Sequence, residues 1–217
     1  LQQDYVSVEK YFQQFGSTSD KFQKADAEND FALISIHRGQ LKQAQKRMLD
    51  NLSSHQARKL QDFILGDYYI LTLLAYERGD YSAMLEYAKK FSIEFKKDPT
   101  AKIYGRDVLA WAYLKNGNPK MAYKLMQELK RDILGKQPTW QVAYDYCLGL
   151  LAYEEGKYES ALQQFQKAFK PLYPNHAPQF FYALSLLKTR NITAAIAELQ
   201  RLTWWSPISS SDITLPY

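Results

Sequence analysis

Residues Tyr146–Phe169 read YCLGLLAYEEGKYESALQQFQKAF, with small and aromatic residues at helical spacing. Two amphipathic segments flank a short turn at Gly156. Apolar residues at intervals of three and four predict a helix on each side of that turn, so the stretch should form an antiparallel helical hairpin. Gly149 lies inside the first predicted helix, where glycine costs about 1 kcal/mol relative to alanine. We therefore expect the second helix to approach closely at Gly149.

The same turn occurs five times along the chain. Its sequences are HRGQL, ERGDY, KNGNP, EEGKY and KTRNI, centred on Gly39, Gly79, Gly117, Gly156 and Arg190 at steps of 40, 38, 39 and 34 residues. A small residue stands seven positions before each turn: Ala32, Thr72, Ala110, Gly149 and Ala183. Five positions after the turns stand Ala44, Met84, Ala122, Ala161 and Ala195. A period of this length predicts an array of stacked helical hairpins.

The predicted hairpins follow an N-terminal helix and precede a short tail. The helix is placed at residues 1–15, the hairpins at 20–55, 61–97, 100–134, 139–170 and 177–206, and the tail at 207–217. Each unit of such an array buries its apolar face only against its neighbours. We therefore interpret residues 1–217 as a single all-α solenoid that is a fragment of a longer array.

The segment LGLLAYEEGKYESALQQFQKAF resembles a tetratricopeptide repeat (TPR), which has Leu-Gly, an aromatic residue, then Ala and Phe. The step of 34 residues between Gly156 and Arg190 is the period of that family. The aromatic residue usual four positions before the turn is present only as Tyr113. The resemblance is thus to a degenerate array, similar to bacterial TPR regions. It implies a right-handed superhelical solenoid of about five hairpins plus the extra N-terminal helix.

The resemblance also implies which face binds a partner. Residues ten, six and three positions before each turn would line the concave surface, and here many are aromatic. The residues expected to bind a partner are Tyr69, Tyr76, Trp111, Tyr146, Tyr153 and Phe180. Aromatic side chains suit an interface because they bury a large area at small entropic cost. The alternative is that these residues pack against neighbouring repeats or against a continuation of the array.

Catalytic and metal-binding motifs are not found. The sequence has no GxGxxG, GxxxxGK[ST], GxSxG or HExxH segment. His37, His55 and His176 are far apart and are interpreted as surface residues. Cys147 has no cysteine or histidine partner at ligand spacing and is expected to be a buried core residue. We therefore expect neither catalysis nor a metal or other cofactor.

Composition argues against a nucleic-acid-binding surface and against a membrane span. The 217 residues carry a net charge of +5, and the basic residues are spread over several segments, as on a solvated helical exterior. No apolar run is long enough to predict a membrane span. The hypothesis is a non-catalytic module that binds a protein or peptide, as a scaffolding or sensory part of a larger protein, with no small-molecule substrate. The alternative is a nucleic-acid-binding repeat or a regulatory domain of an enzyme that uses the basic exterior. The sequence leaves the oligomeric state open, and the compartment open between cytoplasm and periplasm.

Overall fold

A computed structural model of the chain describes residues 5–96, 105–133, 138–168 and 176–204, and all regular structure in these ranges is helical. The eleven described helices are α1 (Tyr5–Gly16), α2 (Lys21–His37), α3 (Leu41–Arg58), α4 (Gln61–Glu77), α5 (Tyr81–Lys96), α6 (Arg106–Lys115), α7 (Pro119–Ile133), α8 (Pro138–Glu154), α9 (Tyr158–Ala168), α10 (His176–Lys188) and α11 (Ile192–Trp204). The predicted tail at 207–217 lies outside the described residues, as do residues 1–4 of the predicted N-terminal helix.

The five repeated turns share one backbone geometry. In the EEGKY turn, Gly156 has φ 75° and its N–H donates to the carbonyl of Tyr153, while the N–H of Lys157 donates to the carbonyl of Ala152 at 2.9 Å. This pair of bonds satisfies carbonyls that the helix end leaves free, and it requires a left-handed residue at the turn. Arg190 adopts that conformation without being glycine, at φ 63°. The turn sequence therefore sets where each first helix ends.

Helix pairs pack around the small residues, as the repeat predicts. α2 packs against α3, α4 against α5, α6 against α7, α8 against α9, and α10 against α11. The residues seven positions before and five positions after each turn are all buried: Ala32, Ala44, Thr72, Met84, Ala110, Ala122, Gly149, Ala161, Ala183 and Ala195. Small side chains at these places let two helix axes come close together. The prediction of an all-α array of helical hairpins is confirmed.

Gly149 is the tightest of these contacts. A Cβ atom added there would lie 2.5 Å from Cδ1 and 3.0 Å from Cζ of the Phe165 ring, and closer still to Cε1. Phe165 lies on α9 and is fully buried. Carbon atoms normally approach to about 3.5–4.0 Å, so only glycine fits. The predicted close approach at Gly149 is confirmed, and the neighbour responsible is Phe165.

The chain divides into two compact units, Leu1–Asp98 and Pro99–Tyr217. In unit 1, α1 packs against α2, and α3 against α4. In unit 2, α8 packs against α6, α7 and α10, and α9 against α10. The first helices of the three hairpins in unit 2 are thus neighbours in the order α6, α8, α10. A single continuous solenoid over residues 1–217 remains a prediction.

Candidate functional site

The six predicted binding residues fall in both units. Tyr69 and Tyr76 lie on α4 of unit 1, while the other four lie on the first helices of the hairpins in unit 2. We use the term inner register for the positions ten, six and three before each turn. In unit 2 the inner register consists of Asp107, Trp111 and Leu114 on α6, Tyr146, Leu150 and Tyr153 on α8, and Phe180, Leu184 and Leu187 on α10.

The two tyrosines of unit 1 contact the second helix of their own hairpin. The Tyr69 ring centroid is 5.8 Å from that of Phe91, and the Tyr76 ring centroid is 6.4 Å from that of Tyr81. Both tyrosines are half-buried. Each therefore keeps part of its surface accessible while its ring orientation is restricted by a neighbouring ring.

The four aromatic residues of unit 2 converge on one ring, that of Phe181. Its centroid lies 6.5 Å from Trp111, 6.3 Å from Tyr146, 5.7 Å from Tyr153 and 5.6 Å from Phe180. It also stacks on Phe165 at 6.1 Å, the ring that approaches Gly149. Edge-to-face and stacked pairs at these separations are favourable beyond their buried area. We call Trp111, Tyr146, Tyr153, Phe165, Phe180 and Phe181 the ring cluster.

Trp111 is the buried member of this cluster that donates a hydrogen bond to an ion pair. It is 4% exposed, and its Nε1–H donates to Glu154 Oε1 at 3.4 Å. Lys115 Nζ donates to the other oxygen of Glu154 at 2.8 Å. The Lys115 and Glu154 side chains are only 15% and 11% exposed, so this pair is weakly screened. The Glu154 carboxylate thus links α8 to α6 by two hydrogen bonds, and its charge is balanced by that of Lys115.

Tyr153 adds a neutral hydroxyl to the same region. Burial raises the pKa of Tyr153, and the nearby Tyr158 and Glu154 raise it further, while Lys115 acts in the opposite direction. The phenol therefore stays protonated at neutral pH and can donate or accept a hydrogen bond.

Within unit 2 the inner register is most exposed on α10. At the position six before the turn, Trp111 and Leu150 are buried, whereas Leu184 is half-buried. At the outer positions, Tyr146 and Tyr153 are half-buried, whereas Phe180 is 44% and Leu187 40% exposed. The α10 part of the register is therefore the most accessible in unit 2.

Phe181, Lys115 and Glu154 were not predicted from the sequence. Phe181 stands nine positions before its turn, one position outside the inner register. The run QFFY at 179–182 indicates a ring outside the inner register, because two adjacent rings cannot both point along one helix face. The link between Glu154 and Lys115 joins residues 39 positions apart and has no local sequence signature.

A cluster of polar side chains lies between α2, α3 and α4 in unit 1. His55 and Asp67 are fully buried, and His55 Nδ1 lies 2.6 Å from Asp67 Oδ2. His55 Nε2 lies 3.3 Å from Oε2 of Glu28, which also pairs with Arg58. The His55 ring packs 5.2 Å from that of Phe63. The expectation that His55 is a surface residue was wrong. The His37 and His176 side chains lie outside the described part of the chain.

The repeat register explains this burial. His55 is sixteen residues after its turn, where the next hairpin has the buried Phe95. Asp67 is twelve residues before its turn, where another hairpin has the buried Tyr144. Burial raises the pKa of Asp67, while the hydrogen bond and charge of His55 lower it. The 2.6 Å contact pairs one polar atom of each side chain, whereas His55 Nε2 and Asp67 Oδ1 are buried without a hydrogen-bond partner among the described residues.

Cys147 and the remaining titratable groups provide no metal site among the described residues. Cys147 is 1% exposed and its Sγ–H donates to the carbonyl of Asp107 at 3.2 Å, which confirms the predicted buried thiol. Burial raises the pKa of Cys147, and the charge of Asp107 raises it further. Within 5–96, 105–133, 138–168 and 176–204, no three His, Cys, Asp or Glu side chains are grouped to hold a metal ion. No helix of these ranges is sufficiently long and apolar to span a membrane.

Comparison with solved structures identifies the fold. The chain is similar to the apo form of the quorum sensor NprR from B. thuringiensis, with TM-score 0.53 and 15% identity over 91% of this chain. The fold is TPR-like. The chain spans 59% of the length of the NprR chain. A kinesin light chain from Podosopora anserina with nearly identical TPR-like repeats is also similar, with TM-score 0.46 and 16% identity over 82% of this chain and 92% of that one. No protein-family profile and no curated protein matches the sequence.

Proposed function

We propose that this TPR-like chain is a non-catalytic interaction module that binds a peptide, a helix or a partner domain along its inner register. Within unit 1 the proposed contact residues are Tyr69 and Tyr76. Within unit 2 they are Tyr146, Tyr153 and Phe180, and the buried Trp111 supports them. The module serves as a scaffolding or sensory part of a larger protein. The fold that it shares with a quorum sensor is compatible with a sensory role.

One observation carries the proposal: the ring cluster is packed internally, yet its member Phe180 is exposed on α10, as is Leu187 of the same inner register. Neighbouring exposed apolar side chains mark interaction sites more often than scattered ones do. A rigid aromatic surface also loses little side-chain entropy when a partner binds. The buried Trp111 would act here by fixing Phe181 from below, and Phe180 would make the direct contact.

The choice of substitution follows from burial. Trp111→Ala would remove a buried ring and cost about 3–5 kcal/mol of stability, so lost binding could reflect unfolding. Phe180→Ala with Leu187→Ala removes exposed surface and leaves the core in place. Ile93→Ala on α5 is the matched control, because Ile93 is 55% exposed and lies in unit 1 outside the inner register.

The test is affinity capture from a lysate of the source organism, followed by titration of the captured protein against each purified variant. We expect the double variant to weaken binding by at least about tenfold, the effect of losing interface anchors worth more than 1 kcal/mol each. The control should bind like the original chain. Equal binding by the double variant would exclude α10 from the interface, and captured nucleic acid with a steep salt dependence would support the alternative function.

A further inference from the structure

In the ring cluster, an aromatic side chain of one helix lies on the inner-register residues of other helices. Phe181 of α10 lies against Trp111 of α6 and against Tyr146 and Tyr153 of α8. An aromatic residue on one helix therefore covers register positions contributed by two preceding first helices. The occupant is a single ring, carried on an α-helix, at centroid distances of 5.7–6.5 Å.

The register on α10 is the most exposed of the three in unit 2. Phe180 and Leu187 are 44% and 40% exposed, and Leu184 between them is half-buried. The equivalent residues on α8, Tyr146 and Tyr153, are half-buried because Phe181 lies on them. We call Phe180, Leu184 and Leu187 the α10 ridge. It extends over two helical turns, or about 10 Å, which suits the face of one added helix.

Two exposed basic residues follow the α10 ridge at its C-terminal end. Lys188 follows Leu187 directly, Arg190 occupies the turn, and both are exposed. The acidic residue of α11, Glu198, accepts hydrogen bonds from Gln179 and Arg201. The α10 and α11 hairpin, residues 176–204, thus has three basic residues and one acidic residue. A ligand with acidic residues beside its apolar face would complement this surface.

We infer that the α10 ridge binds an amphipathic helix of a partner protein, which places a phenylalanine against Phe180 and Leu187 and acidic side chains opposite Lys188 and Arg190. This inference rests on the proposed function and specifies the class of partner. The bound phenylalanine takes the position relative to α10 that Phe181 takes relative to α8.

A second copy of the chain fits the ridge less well. The exposed parts of Phe180 and Leu187 amount to roughly 150–200 Å², taking 150–250 Å² for a whole aromatic side chain as the scale. A stable interface between two folded proteins buries about 800 Å² on each partner. A single helix is a smaller partner than a folded domain, and its acidic side chains would add charge contacts with Lys188 and Arg190. The ridge is thus matched to a helical peptide.

The experiment uses designed helical peptides of about five turns, each with one Phe and two Leu on one face. One peptide has Glu on its flanks, a second has Lys instead, and a third has Glu flanks but Ala in place of Phe. Binding to the full chain is measured by fluorescence anisotropy at about 0.05 and 0.15 M salt. We expect the Glu peptide to bind at least about tenfold more tightly than either of the others, with a preference over the Lys peptide that decreases with salt.

Variants of the chain assign the binding to the ridge. Phe180→Ala with Leu187→Ala should lower the affinity for the Glu peptide by at least about tenfold. Lys188→Glu with Arg190→Glu should reverse the preference between the Glu and Lys peptides. Ile93→Ala controls for lost apolar surface, and Lys167→Glu with Lys130→Glu controls for the altered net charge. Circular dichroism of each variant confirms that its helices are intact.

Three results would overturn the inference. Equal affinity for the Glu and Lys peptides would remove the charge argument, and binding unaffected by Phe180→Ala with Leu187→Ala would remove the site. A dimer of the chain that dissociates on Phe180→Ala would make a second copy the occupant. If the captured partner still depends on Phe180 while the peptides show no preference, the inference fails and the proposed function stands. If neither depends on Phe180, the inference fails and α10 is excluded from the proposed interface.

Discussion

Gly149→Ala tests the closest helix contact in the chain. The added Cβ would lie 2.5 Å from Cδ1 of Phe165 and 3.0 Å from its Cζ, so the ring or the helix must move by about 1 Å to restore a normal contact. The Phe165 ring has little room, because it is fully buried and lies 6.0 Å from the Tyr146 ring and 6.1 Å from the Phe181 ring. The substitution therefore strains the ring cluster as well as the hairpin.

The expected magnitude is the difference between two opposing effects. Overpacking a core of this kind costs about 1–3 kcal/mol, and replacing glycine by alanine inside a helix gains up to about 1 kcal/mol. The required movement places the cost in the upper part of its range, so we expect unit 2 to lose about 1–2 kcal/mol. Urea unfolding followed by circular dichroism measures this loss, and hydrogen exchange of α8 and α9 amides assigns it to the contact.

Gly66→Ala is the matched control. Gly66 also lies inside a helix, α4, and a Cβ added there meets no atom within 4 Å. This variant should gain up to about 1 kcal/mol. Adding Phe165→Leu to Gly149→Ala should relieve the clash and give a favourable coupling energy in a double-mutant cycle. If Gly149→Ala proves as stable as the original chain, the close approach of Phe165 does not explain this glycine.

His55→Ala leaves the buried Asp67 without its hydrogen-bond partner, so unit 1 should lose about 1–3 kcal/mol in urea unfolding. His55→Phe with Asp67→Leu should cost less, and equal losses would contradict the pairing. Burial, and secondarily the charge of Asp26, raises the pKa of Asp30 from 3.8 to about 6. Because the folded state binds this proton more tightly, the contribution of Asp30 to stability is full below about pH 4 and is lost as the pH rises through about 6. Asp30→Asn should flatten the measured stability over that interval, and an unchanged profile would count against the shift. Since burial raises the pKa of the Cys147 thiol, a thiol reagent should label it slowly in the native chain and rapidly in denaturant; fast native labelling would show that the thiol is accessible.

The local part of this structure was predictable because it depends on residues close together in sequence. Apolar spacing of three and four identifies the helices, and a glycine at positive φ ends the first helix of four of the hairpins. The repeated register located the small contact residues, including Gly149. The same register indicates that His55 and Asp67 are buried, because they occupy the repeat positions of the buried Phe95 and Tyr144.

The sequence by itself thus determined the hairpins, their turns and the aromatic character of the inner register. Only the tertiary structure decided which rings are accessible to solvent. Phe181 covers Tyr146 and Tyr153, Trp111 is buried, and Phe180 is exposed. The physical reason is that exposure depends on side chains from neighbouring hairpins, and their contacts join residues that no short-range spacing relates. Helical periodicity gives the direction of a side chain from its own helix axis, but the neighbouring helix determines whether water or another ring lies there.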